Sequence, residues 1–275
     1  MVTLRRRKLI WWIGSAVVLL AALAVAGPFI YIHFIEGPAP AKLELPMPHA
    51  STSAPGTPSS AASSSAMSGT WNVGPGSLAG YRVQEVLVGQ NATAVGRTSK
   101  IWGSLTIDGT SASKGSFTVD MASVVSDQSQ RNAQFDGRIM DVSQYPTATL
   151  VLTKSITLGT LPGVGTAKQY AAQGILTMHG VSKPVTFTVT AERVGSEIDV
   201  LADLPITFSA WHIANPSIGG FVTTANNGTL EVLLHLTRGV GNTPSTSSGS
   251  SSGGGGGGPV TVPSTTVPPL TVPSS

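Results

Sequence analysis

The sequence has 275 residues, a formal charge of +3 and only 11% charged residues, enough chain for one or two domains. It has no cysteine, which excludes disulfides, thiolate metal sites, cysteine nucleophiles and a lipidated N-terminal cysteine. The positive charge is local: residues 69–239 hold eleven basic and eleven acidic side chains, so a nucleic-acid partner is not expected.

Residues 1–35 read as a cytoplasmic basic stub followed by a transmembrane anchor. Leu9 to Ile35 carries no Lys, Arg, Asp or Glu and exceeds the roughly 20 residues that cross a bilayer core. The run RRRK, Arg5 to Lys8, fixes the N-terminus on the cytoplasmic side and everything after Glu36 outside. Trp11, Trp12 and Tyr31 lie near the two ends, where amphipathic rings favour the interface. Ala24-Val25-Ala26 resembles the cleavage site of a signal peptide, the rival reading. Because PFIYIHFI continues the apolar run beyond it, a retained anchor is expected. His33 reads as an interfacial residue.

Residues 36–68 are rich in Pro, Ala and Ser and show no period, the composition of a flexible tether. Residues 69–239 form the folded domain. Tyr81, Val83, Glu85 and Leu87 alternate with Arg82, Gln84, Val86 and Val88, and Ile101, Gly103, Leu105 and Ile107 with Trp102, Ser104, Thr106 and Asp108. The same period of two continues through Phe117, Val119 and Met121, and then Leu150 and Leu152. It returns in the two strands of AQGILTMHGVSKPVTFTVTA, in Ile206 and Phe208, and in Leu230, Val232, Leu234 and Leu236. Asp108-Gly109 and Asn227-Gly228 signal turns. Roughly eight strands with short connections make an antiparallel barrel or a sandwich. One segment breaks the pattern. In SDQSQRNAQFDGRIM, Asp127 and Gln130 fit a capping box and Phe135 and Ile139 share a helical face. The spacing predicts a short helix, interrupted at Gly137, whose apolar edge plugs a barrel end. Residues 240–275, with GGGGGG and PVTVPSTTVPPLTVPSS, read as a disordered Gly/Ser/Thr/Pro tail.

The ordered pieces GTWNV, WGSLTIDG, GSFTVDMASVVSDQSQRN, YPTATLVLT, GILTMHGVSKPVTFTV, FSAWHIANPS and LEVLLHLTR span Gly69 to Arg238. Together they resemble the YceI-like domain, a lipocalin-like barrel associated with polyisoprenoid binding. The resemblance implies an all-β, antiparallel eight-stranded lipocalin-like barrel whose inward face lines a tunnel for a long apolar chain. Two positions depart from the family pattern. The stretch WNVGPGSLAGYRV lacks the histidine that precedes the family's serine, here Ser77, and Asn132 stands where an acidic residue is common.

No catalytic constellation is visible. His179, His212 and His235 show no convergent metal-ligand spacing, no G-x-S-x-G elbow or phosphate loop is present, and GGGGGG lies in the tail. Glu197 and Asp199 read as a solvated edge. For Arg131, an ion pair with Asp127 one turn earlier is the first expectation and a ligand head-group contact the second. The period-two faces and the helix edge nominate Val83, Leu105, Phe117, Val119, Phe135, Ile139, Leu152, Leu176, Phe187, Val189, Phe208 and Leu234 as tunnel lining. The expectation is a non-enzymatic protein, held at the cell membrane, that binds an isoprenoid or similar lipid and needs no cofactor or metal. The alternative is a cell-envelope structural or adhesion module with a filled barrel. Oligomeric state is not legible.

Overall fold

The structure is a computed structural model that describes residues 11–22, 26–27, 39–46, 67–160 and 162–239. Thirteen strand segments occur among them: β1 (Gly69–Val73), β2 (Leu78–Leu87), β3 (Gln90–Thr98), β4 (Ile101–Asp108), β5 (Ser111–Asp120), β6 (Val125–Ser126), β7 (Thr147–Leu152), β8 (Ile156–Thr157), β9 (Lys168–Met178), β10 (Val181–Val194), β11 (Glu197–Thr207), β12 (Val222–Thr224) and β13 (Asn227–Thr237).

The pairing joins these segments into eight long strands. β1 and β2 run as one strand against β4 and β3: Leu87 faces Gln90, Ala79 faces Thr98, Asn72 faces Ser104 and Gly69 faces Ile107. β5 and β6 continue the ladder on β4 and β3, and β7 and β8 both pair with β5. β9, β10 and β11 follow unbroken. β12 and β13 line up along the first strand, and β13 meets β11 on one edge and β2 and β1 on the other. Leu236 opposite Val73 closes the ring. The fold is therefore an all-β, eight-stranded antiparallel barrel with a short helix. Closure decides between the two architectures the sequence allowed, and among the described residues it joins the two ends of the sheet.

The expected alternation sets the barrel's inside. Ile101, Phe187, Leu234 and Leu236 point inward and pack in one apolar cluster with Trp71 and Val73. Val83, Met121, Phe135, Met178, Phe208 and Ile213 form a second cluster towards the helix. Curvature needs close strand approach at two inward positions. A Cβ at Gly103, where φ is +146°, would lie 2.2 Å from the Ser116 carbonyl oxygen, and one at Gly228 would lie 2.8 Å from Val83 Cγ2.

The local reading is amended at four points. β3 falls on QNATAVGRT, where small residues blunt the period-two signal. Asn227-Gly228 is not a turn: it opens β13, opposite Thr207 and Ile206, and the chain reverses before it. The Asp127 capping box does not form. The helix α1 (Ser129–Gln134) starts after Gln128, which makes no side-chain cap bond, and Asp127 pairs with Arg131 instead. The helical interruption expected at Gly137 is a wider turn over Phe135–Ile139, where Met140 N donates to Phe135 O at 2.9 Å.

Residues 11–22 are helical. Among the described residues no helix is long and apolar enough to cross a membrane. Apart from residues 26–27, the rest of the expected anchor and the tail lie outside the described residues, as does a second unit, Ser245–Ser275. Part of the stretch read as tether, residues 39–46, lies against the barrel. Pro40 O accepts from Arg82 Nη2 at 2.7 Å, Ala41 O accepts from Arg97 Nη2, and Leu43 is buried.

Candidate functional site

The barrel is hollow. A cavity of about 300 Å³ passes between the two apolar clusters, walled by residues from both. It runs from Leu158, Pro162, Tyr170 and Glu192 at one end to Glu85, Arg131, Phe135 and Pro216 at the helix-bearing end. Its middle is apolar: Leu105, Phe117, Val189, Ala202, Val232 and Leu234 contribute the wall. All twelve residues nominated from the sequence reach this wall, and Arg131 reaches it as well. The alternation succeeds because each barrel strand offers one face to the inside and the other to solvent. Ala79, Ala94, Ala112, Ala172 and Ala202 also line it. Alanine carries too weak an inside signal to be picked out, yet these small side chains are what leave the void.

Both ends carry charged residues: Glu192, which is buried, and Arg193 line one, and Glu85 and Arg131 line the helix-bearing end. Arg131 lies 2.8 Å from Glu85 Oε1 and also pairs with Asp127. The ion pair with Asp127 was the first expectation; Glu85 comes from the inward face of β2 and was not foreseen. Phe135 is buried and stacks on Tyr81, centroids 5.1 Å apart. Burial pushes the Tyr81 hydroxyl up to about 12, with the nearby Arg131 opposing and the carboxylates of Asp127, Glu85 and Asp136 adding to the rise. Arg138 Nη2 donates to Pro216 O at 2.9 Å, tying the helical turn to the loop before β12. Ile139 completes the plug. Asn132, the departure from the family's acidic residue, accepts from Ser126 N at 2.7 Å and holds the helix start against β6.

The histidines stand apart. His179 occupies a left-handed turn position (φ 50°), with Nδ1 3.0 Å from Trp211 O and its ring edge-on to Tyr145. His212 caps the turn after Trp211. His235, on the outer face, sits 2.7 Å from Asp199 Oδ1. Asp199 is therefore no solvated edge: it is 2% exposed, and only Glu197 is in solvent. Ser77 is buried, donates to Gly74 O at 2.8 Å and accepts from His235 N at 2.9 Å, which pins the break between β1 and β2 to β13. No group of His, Asp and Glu that could hold a metal occurs among the described residues.

The barrel's order of strands and its plugged end invite comparison with known families. The model of the YceI-like domain matches residues 71–236. The chain belongs to the YceI-like domain family. That family is a binding-protein fold rather than an enzyme family. Among solved structures, the YceI-like domain is similar to BcnA of Burkholderia cenocepacia at 25% identity. That match covers 56% of this chain and 95% of that one with a TM-score of 0.45. It is similar to a polyisoprenoid-binding domain from Saccharophagus degradans implicated in plant cell wall breakdown, at 14% identity, covering 61% and 97% with a TM-score of 0.49. It is also similar to the Campylobacter jejuni YceI protein at 18% identity, covering 51% and 83% with a TM-score of 0.40. Comparison with curated proteins gives no match.

Proposed function

We propose that this YceI-like domain takes the hydrocarbon chain of an amphiphilic isoprenoid or similar long-chain lipid into its barrel. In this reading it stores or carries that lipid outside the cytoplasm while anchored to the cell membrane by residues 9–35. The apolar cavity of about 300 Å³ carries the proposal. It lies in the range of small-molecule sites, and its wall offers a hydrocarbon roughly 0.8 kcal/mol per buried CH₂. A filled structural module is disfavoured by the same void, since protein interiors otherwise pack without such spaces. In this reading the head group sits at the helix-bearing end, beside Glu85 and Arg131. Arg131 is already matched by Glu85 and Asp127, so the mouth favours an uncharged head such as a quinone or alcohol over a phosphate. Native mass spectrometry of the full chain, extracted from its own host, tests the reading. A bound lipid of defined mass is expected. An empty barrel that also fails to take up an added polyprenyl quinone would overturn it, and preference for a polyprenyl phosphate would overturn the head-group assignment alone.

A further inference from the structure

We infer that the helix-bearing end of the barrel docks on the lipid bilayer through an exposed apolar patch made of Phe221, Ile218, Val88 and Val86. The inference rests on the reading of residues 9–35 as a membrane anchor. The four positions are neighbours along the paired backbone. Val88 N donates to Phe221 O at 2.8 Å, Ile218 bridges to Val222, and Val222 and Thr223 face Leu87 and Val86 across the β12–β2 ladder. Phe221 is 68% exposed and Ile218 48%. None of the four lines the cavity, so burying the ligand does not account for them. Large apolar side chains gathered on a loop tip mark a contact surface. At the opposite barrel end only Val164 and Val194 are comparably exposed among the described residues.

The occupant is set by the chain itself. Arg82 and Arg97 hold the carbonyls of Pro40 and Ala41 on the outer wall. Pro40 follows the end of the apolar run at Ile35 by five residues, which reach at most about 18 Å at full extension. The bilayer edge therefore lies within that distance of the Arg82 side of the barrel. From Arg82 to Val88 along β2 and its turn is six residues, roughly 20 Å at strand rise. The patch thus lies at about the limit of the anchor's reach, whereas a free tether of some thirty residues would set no such bound. The same end holds the cavity mouth lined by Glu85 and Arg131, beside the loop that carries Ile218 and Phe221. Docking would set the mouth against the lipid surface, so that a chain passes between bilayer and barrel without crossing water.

The absence of native cysteine permits a direct test. The full chain carrying Ile218→Cys or Val194→Cys, each labelled with an environment-sensitive fluorophore, is reconstituted in vesicles of phosphatidylcholine and phosphatidylglycerol with and without spin-labelled lipid. The Ile218 label should be quenched at least twofold more than the Val194 label, and adding Phe221→Asp should abolish that difference. Phe221→Cys is the second reporter if Ile218→Cys fails to fold. Equal quenching at both ends, stronger quenching at Val194, or a patch shielded by a second copy of the chain would overturn the inference. Flotation of the same vesicles reads the anchor separately. A chain that floats without quenching at Ile218 refutes the docking alone; a chain that does not float refutes the anchor and the docking with it.

Discussion

Replacing Ala202 by tryptophan should block the cavity without unfolding the barrel. Ala202 lies midway along β11, faces inward between Val189 and Val232, and borders the void. An apolar cavity of about 150 Å³ accommodates one benzene, so the 300 Å³ here encloses on the order of a dozen carbons. An indole would take about half of that space and displace roughly six carbons, each worth about 0.8 kcal/mol of burial. The loss is then about 5 kcal/mol. Partial rearrangement of the ligand reduces it, but at about 1.4 kcal/mol per decade at least a 100-fold weaker affinity for a polyprenyl quinone is expected. Because the ring enters an existing void, the overpacking cost of a filled core, typically 1–3 kcal/mol, does not apply. The thermal midpoint of the unliganded variant should match or exceed that of the parent. Titration with a fluorescent polyprenyl analogue and a thermal melt in the absence of lipid give both numbers. Undiminished binding would place the lipid elsewhere, and a sharp fall in the melting midpoint would show that the space beside Ala202 is not open.

Phe187 is buried and Thr186 exposed on the same strand, so Phe187→Asp should cost more than about 4 kcal/mol and Thr186→Asp within about 0.5. Equal urea midpoints would contradict the facing of β10. Glu231, 1% exposed, is held by Arg82 at 2.6 Å and Arg97 at 3.0 Å. Glu231→Ala leaves two guanidiniums without their carboxylate and should cost about 3–5 kcal/mol in denaturant unfolding; a change below 1 would show that the cluster is well solvated. Tyr81 titrates near 12 in the fold against 10 in the unfolded chain, so the fold favours its neutral form. That contribution is complete below pH 10 and is lost as pH rises towards 12, by at most about 3 kcal/mol. Burial also raises Tyr170, so absorbance at alkaline pH should show a late component at Tyr81 that Tyr81→Phe removes.

The inward faces were legible because β-branched, aromatic and leucine residues at every second position have one place to go in a closed sheet. This brought Val83, Phe187 and Leu234 to the cavity wall on spacing alone. The void itself was not legible, since it depends on alanines whose burial the pattern does not announce. Buried charge on the outside was missed for a different reason. Glu231 and Asp199 sit on outward faces, and what surrounds them comes from distant sequence: Arg82 and Arg97 with the segment at Pro40 in one case, His235 with the break at Ser77 in the other. Asn227-Gly228 misled because its glycine serves close packing against Val83 rather than a reversal. The membrane anchor rests on hydropathy alone.

The interruptions in the strands are unevenly shared. Five neighbouring staves of the tube, from β12–β13 through β1–β2, β3–β4 and β5–β6 to β7–β8, each contain a joint, while β9, β10 and β11 do not. Such a tube is stiff along one flank and articulated along the other. A thicker guest would be met by yielding on the jointed flank, and amide protons there should exchange with solvent sooner than those of the continuous trio. One sequence could in this way grip hydrocarbons of differing girth while keeping the rigid flank unchanged.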